Sequence, residues 1–241
     1  MEEQSQNRGI GRSEHDNWVI IMDLDGTIID SDIENMEILK ELLMENGLEN
    51  KMDPIFQGLA MGKEFNEIMV EIDMQPETRK SLEKQLIMKM ENRKTKLFPD
   101  VCNVLKNLSQ MGLNLSIVTN NYYTFTMKTL ENHGLIGLFD EQLILCYDNF
   151  DHLKPSSNII QEIFRRKKLD DIGKGIIIGN SLKDIEFAEK SRLFIIYLQN
   201  NEDKKREDLI NKMSYDKLYK VSNWIEIQNA IDQVLEVSIK K

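Results

Sequence analysis

Four short, β-branched apolar runs punctuate the chain, at residues 18–22, 113–118, 175–178 and 194–198. Apolar runs without alternation fit strands covered on both faces by helices. A fifth, weaker run at 142–146 is a further strand candidate. Between them the period changes to three and four. Val101, Val104, Leu105, Leu108 and Met111 share one helical face, and Gly112 stands where that helix would stop. Ile159, Ile160, Ile163 and Phe164 repeat the pattern, as do Ile225, Ile227, Ala230, Ile231, Val234 and Leu235. Strands alternating with helices predict an α/β fold, with a Rossmann-like, doubly wound parallel sheet and right-handed crossovers.

One stretch departs from this alternation. From about 31 to 98 no strand is expected, only helical spacing such as Met36, Leu39, Leu42, Leu43 and Ile68, Met69, Ile72, followed by a charged helix from about 76 to 94. This predicts a small all-helical domain, residues 31–98, inserted after the first strand. The α/β core would then comprise 17–30 and 99–241, with 1–16 as a flexible polar tail.

Composition narrows the function classes. With 41 acidic against 31 basic residues the net charge is −10, so the chain as a whole repels phosphate backbones and nucleic acid is not an expected partner. The longest apolar runs fall far short of the roughly twenty residues a membrane-spanning helix needs. No secretory apolar stretch opens the chain. The expectation is a cytoplasmic protein, monomer or homodimer. Cys102 and Cys146 make no disulfide framework, and neither has a cysteine or histidine at zinc-ligand spacing.

In doubly wound sheets ligands bind beyond the carboxyl ends of the strands, so the polar residues that follow each run carry the chemistry. After the first run comes Asp23-Leu24-Asp25-Gly26-Thr27. Two carboxylates at i and i+2 project to the same side of a strand end and repel unless a cation lies near, and hard oxygen donors suit Mg²⁺. After the second run come Thr119 and Asn120, a hydroxyl and exposed amides able to grip a phosphate oxygen. Lys154-Pro155 follows the fifth run. Gly179-Asn180-Ser181-Leu182-Lys183-Asp184 follows the run at 175–178, with an amide and a carboxylate one helical turn apart. Each of these has a plainer reading as a turn, a helix cap or a solvated lysine. Their order, each at a strand end, makes the set specific.

The set resembles the haloacid dehalogenase-like hydrolase superfamily, and within it the phosphoglycolate phosphatase-like branch with a helical cap after the first strand. The resemblance covers about residues 17–235. It rests on the motifs above together with Leu97-Phe98-Pro99-Asp100 at the return from the insert, and Ala188 after the last motif. It implies a Mg²⁺-dependent phosphatase acting on a small phosphorylated metabolite, a sugar phosphate or phosphoglycolate-like phosphomonoester, through an aspartyl-phosphate. By resemblance Asp23 is the nucleophile and Asp25 the general acid and base, its pKa raised by the neighbouring carboxylate. Thr119, Asn120 and Lys154 hold the phosphoryl oxygens, while Asp23, Asp25, Asn180 and Asp184 form the metal site. Gly58 and Lys63, in the segment from Phe56 to Lys63, are expected to touch the leaving group from the cap. The basic run 79–96, interleaved with glutamates, reads as a solvated helix face.

Two positions depart from the family pattern. The family usually has an acidic metal ligand where Asn180 stands, which predicts weaker metal binding. Asp100 stands where glycine is common. A phosphoglucomutase-like phosphotransferase and a regulatory protein on a degenerate scaffold remain as alternatives.

Overall fold

The computed structural model describes residues 15–60, 63, 65–152, 154–199 and 204–239. Most of the expected N-terminal tail lies outside these residues. The core is a parallel six-stranded sheet of β1 (Val19–Met22), β2 (Asn114–Val118), β3 (Ile144–Leu145), β4 (Gly175–Gly179), β5 (Phe194–Leu198) and β6 (Leu218–Val221). The strand order is β3-β2-β1-β4-β5-β6. The chain therefore winds outward from β1 on one side, then returns across it and winds outward on the other. Val19 pairs with both Asn114 and Gly175, which sets β1 at the switch point with β2 and β4 as its neighbours.

Alternation along β1 divides the interior into two layers. Ile20 and Met22 pack toward α5 (Val101–Gln110) and α10 (Trp224–Ile239), whereas Val19 and Ile21 pack toward α7 (Asn158–Lys167) and α8 (Leu182–Ser191). These are the apolar faces that the helical spacing marks. Trp224 is fully buried and donates its Nε1–H to the Thr27 carbonyl at 2.9 Å, tying the C-terminal helix to the loop that follows β1.

Residues 32–91 carry four helices, α1 (Asp32–Glu45), α2 (Met52–Ala60), α3 (Phe65–Glu71) and α4 (Pro76–Glu91). They close over an apolar cluster of their own, with Leu42, Leu43, Ile55, Met69 and Leu82 fully buried. The two chain segments that join this unit to the core run antiparallel side by side. Ile29 and Leu97 form a bridge, Asp30 N donates to Lys96 O at 2.8 Å and Phe98 N to Ile28 O at 3.2 Å.

Two elements differ from expectation. The run at 142–146 begins in a 3-10 turn, Glu141–Leu143, and pairs as β3 only at Ile144 and Leu145. The edge strand β6 has no counterpart among the predicted runs, because only Val221 of its four residues is buried. An edge strand leaves one side open and needs no continuous apolar run.

Asp100, the N-cap of α5, adopts φ 65°, in the left-handed region. That conformation is open to glycine without penalty and strained for other residues, which accounts physically for glycine at this place. Asp100→Gly is expected to raise the unfolding free energy by about 0.5–1 kcal/mol, measured by urea denaturation. A loss of stability would show that the Asp100 side chain makes a contribution of its own.

Candidate active site

The carboxyl ends of β1, β2 and β4 bring the motif residues together around a cavity of about 560 Å³ between the sheet and the four-helix unit. Its floor includes Asp23, Asp25, Thr119, Asn120 and Lys154. Asp23 follows β1 directly, and Asp25 lies two residues on in a turn that Gly26 closes at φ 68°. A side chain at Gly26 would collide with Asn180, since a Cβ there would lie 2.0 Å from Asn180 Nδ2. The glycine thus lets the Asn180 amide lie directly on the turn.

Lys154 is buried with two carboxylates as partners. Its Nζ lies 2.8 Å from Asp23 Oδ1 and 2.8 Å from Asp184 Oδ1. Asp184 is held in turn by a capping box at the start of α8. Its Oδ2 accepts from Ser181 N at 3.0 Å and from Ser181 Oγ at 2.6 Å, while Ser181 Oγ accepts from Asp184 N. The same Asp184 thus both caps α8 and touches Lys154. Desolvation lowers the Lys154 pKa, but the charges of Asp184 and Asp23 outweigh that loss and raise it overall, so the ammonium stays firmly protonated.

Asp23 and Asp25 sit in opposite electrostatic situations. Burial pushes the Asp23 carboxyl up to about 7, against the attraction of Lys154 and with the charges of Asp184 and Asp25 adding to the rise. Burial also pushes Asp25 upward, but there the Arg93 guanidinium and hydrogen bonds from Ser31, Asn121 and Arg93 prevail, and its pKa is lowered. Asp25 Oδ1 accepts from Ser31 Oγ at 2.6 Å, from Asn35 Nδ2 at 3.2 Å and from Arg93, while Oδ2 accepts from Asn121 Nδ2 at 2.8 Å. The expected upward shift of Asp25 is thus corrected. The neighbouring carboxylate is outweighed by a cation that the sequence reading left on a solvated face.

That cation, Arg93, has a side chain only 1% exposed, and its guanidinium stacks 4.6 Å from the Phe125 ring centroid. It lies just past α4, on the segment leading back to the core. Nothing in the interleaved charges of 79–96 marks it, because its burial comes from a tertiary contact with α6 (Tyr123–Asn132) and not from local periodicity. Asn121 was equally unmarked, although it follows Thr119 and Asn120 directly.

Thr119 is buried, and its Oγ1 accepts from Asn121 N at 3.1 Å. Asn120 Oδ1 accepts from Lys154 N at 3.3 Å, joining the loop after β2 to the loop that carries the lysine. Gly58 and Lys63 stand apart from this group and do not line the cavity, which corrects their expected contact with the leaving group. A Cβ at Gly58 would lie 2.6 Å from Ile68, so the glycine serves the packing of α2 on α3. Lys63 pairs with Glu71 at 2.5 Å on the exposed surface. Met61 and Gly62 of the same segment lie outside the described residues.

Around Asp23 the donors suited to a cation are all hard oxygens. They are the Asp23 and Asp184 carboxylates, and the sequence adds the Asp25 main-chain carbonyl and Asn180 Oδ1, which accepts a 3.5 Å hydrogen bond from Thr27 Oγ1. Asp23, Asp25 and Asp184 face two buried cations, Lys154 and Arg93, and the unbalanced negative charge adds to the burial that holds the Asp23 carboxyl high. Among the described residues no three acidic, histidine or cysteine side chains are grouped as metal ligands, so neutral oxygens must complete any shell. In chemistry this set fits Mg²⁺, with less ligand charge than an acidic residue in place of Asn180 would give.

A family model described as haloacid dehalogenase-like hydrolase matches residues 20–198. A phosphoglycolate phosphatase of Aquifex aeolicus is 29% identical over 188 residues, spanning 72% of this chain and 80% of that protein. An N-acetylmuramic acid 6-phosphate phosphatase of Pseudomonas putida is 23% identical over 172 residues, spanning 69% and 76%. In structure, a haloacid dehalogenase-like hydrolase from Bacteroides fragilis superposes with a TM-score of 0.70 at 20% identity, covering 85% of this chain and 96% of that one.

Proposed function

We propose, from the premise that the chain belongs to the haloacid dehalogenase-like hydrolase family, that it hydrolyses a small phosphomonoester through an aspartyl-phosphate on Asp23. It is a phosphoric monoester hydrolase; the metal, the intermediate and the substrate are the inferred parts. The observation that carries the reading is Lys154, set 2.8 Å from both Asp23 and Asp184 on the floor of a cavity, where a transferring phosphoryl group would meet a carboxylate and a cation together.

An Asp23 carboxylate oxygen attacks phosphorus in line with the departing oxygen. The ester P–O bond breaks, and the alcohol leaves with a proton. Water then cleaves the acyl phosphate, returning Asp23 and releasing inorganic phosphate. Lys154, Thr119 and the Asn120 amide hold the phosphoryl oxygens, contacts that count most as charge spreads over them in the transition state. Asp25, held in its ionised form by Ser31, Asn121 and Arg93, is placed to take a proton from the attacking water, and the carboxyl so protonated gives it to the leaving oxygen of the next ester. Mg²⁺, when bound by Asp23, the Asp25 carbonyl, Asn180 and Asp184, supplies neutralising charge for the phosphoryl oxygens. The four-helix unit acts as a cap, excluding water from the cavity below it.

Hydrolysis of p-nitrophenyl phosphate and of sugar phosphates across a Mg²⁺ series tests the reading. Turnover that rises with Mg²⁺ supports it, and the absence of turnover with every ester at saturating metal would overturn it. Asn180→Asp is expected to lower the half-saturating Mg²⁺ concentration by about tenfold or more, since it adds a unit charge beside a divalent ion. An unchanged titration would remove Asn180 from the metal shell.

A further inference from the structure

Resting on that phosphatase reading, we propose that the substrate's leaving group carries a positive charge, an ammonium or quaternary amine, held between Tyr122, Tyr147, Glu83 and Glu91. The cavity is continuous from Asp23 and Lys154 to the inner face of α4, so whatever fills its outer part is the alcohol side of the ester.

The outer wall has a distinct chemistry. Leu86, Ile87, Met90 and Phe65 give it an apolar surface, and its two charged groups, Glu83 and Glu91, are both acidic. Tyr122 and Tyr147 line the same cavity, their rings in contact with centroids 5.2 Å apart and planes inclined at 54°. Tyrosine faces attract cations within about 6 Å, most strongly where water is displaced. Burial raises the Tyr122 pKa, and the Glu83, Asp148 and Glu91 charges raise it further after Tyr147, so these carboxylates and this ring share one electrostatic neighbourhood.

The lining as a whole holds four carboxylates, Asp23, Asp25, Glu83 and Glu91, against two lysines. Both lysines, Lys154 and Lys183, lie on the core side, where the phosphate binds. An ester with a second acid on its leaving group, such as phosphoglycolate, would bring that acid against Glu83 and Glu91. A leaving group with a cation reverses the sign of both interactions.

The test compares kcat/KM for phosphorylcholine and phosphorylethanolamine with that for phosphoglycolate, in the native enzyme and in Glu83→Gln/Glu91→Gln. The native enzyme is expected to favour the cationic esters by about a hundredfold, roughly tenfold for each carboxylate. The double variant should reduce that ratio at least tenfold. Preference for phosphoglycolate, or a ratio untouched by the substitutions, would overturn the proposal. Calorimetric titration of phosphorylcholine into the Asp23→Asn protein needs no turnover. Binding there that weakens in the triple variant, from a protein that hydrolyses no ester, would sink the phosphatase reading and retain the cation site. Absence of binding in an enzyme active on neutral esters would do the reverse.

Discussion

Asp23→Asn is expected to lower p-nitrophenyl phosphate turnover by at least about a thousandfold while leaving the protein folded. The amide keeps the shape of the carboxyl but offers no nucleophilic oxygen, so no acyl phosphate forms. Its effect on stability has a sign that the electrostatics fix. The Asp23 carboxyl titrates at about 7 in the folded chain against 3.8 for the free group, so its ionisation is disfavoured by folding. That penalty is absent below about pH 4, accumulates between there and pH 7, and is complete above. In metal-free buffer the variant should therefore melt higher than the native protein at pH 8, with the two curves converging near pH 4. Residual turnover at the native rate would remove Asp23 from the chemistry, and a variant that melts lower at pH 8 would contradict the burial and charge repulsion that disfavour its ionisation.

The second large effect is expected at Lys154. Lys154→Met leaves Asp23 and Asp184 buried and facing each other without the ammonium that each touches at 2.8 Å. Breaking a buried ion pair by removing one partner costs about 3–5 kcal/mol. For a chain of this length that corresponds to a fall in Tm of roughly 10 °C, read by calorimetry. Turnover should fall as well, because a phosphoryl-oxygen donor is lost. The combined variant Lys154→Met/Asp184→Asn separates the two roles, since neutralising Asp184 should restore much of the Tm and none of the activity. A single variant as stable as the native protein would mean that the carboxylates are not held apart by this lysine.

The sheet was legible because β1, β2, β4 and β5 are covered on both faces and leave runs that no amphipathic helix would produce. β6 was not, since an edge strand with one buried residue in four resembles a loop. The floor of the site was legible for a different reason. Asp23, Thr119 and Asn180 each follow a strand directly, and Lys154 lies in the loop that leaves β3, so sequence order reports their spatial meeting. Arg93, Ser31 and Asn35 reach Asp25 through tertiary contacts whose partners lie 68, 6 and 10 positions away, with no strand end to mark them. Lys63 failed in the opposite way. Glycines and a lysine in an apolar segment suggested a ligand contact, whereas Glu71 eight positions on takes the lysine and helix packing takes Gly58. The direction of the Asp25 shift followed Arg93, and could not be read without it.

The paired linkers also set the mechanics of the molecule. Two short straps joined by the Ile29–Leu97 bridge resist shear and torsion more than flexure, which leaves one soft axis, running across both. Helix α4 ends six residues before Leu97 and is 16 residues long, so if it runs away from that axis it is a lever about 24 Å long. A flexure of about 10° would displace its distal end by about 4 Å and its proximal end hardly at all. Glu83 would then travel farther than Glu91, and the cavity would widen as a wedge, from the outside inward, over a floor that stays still.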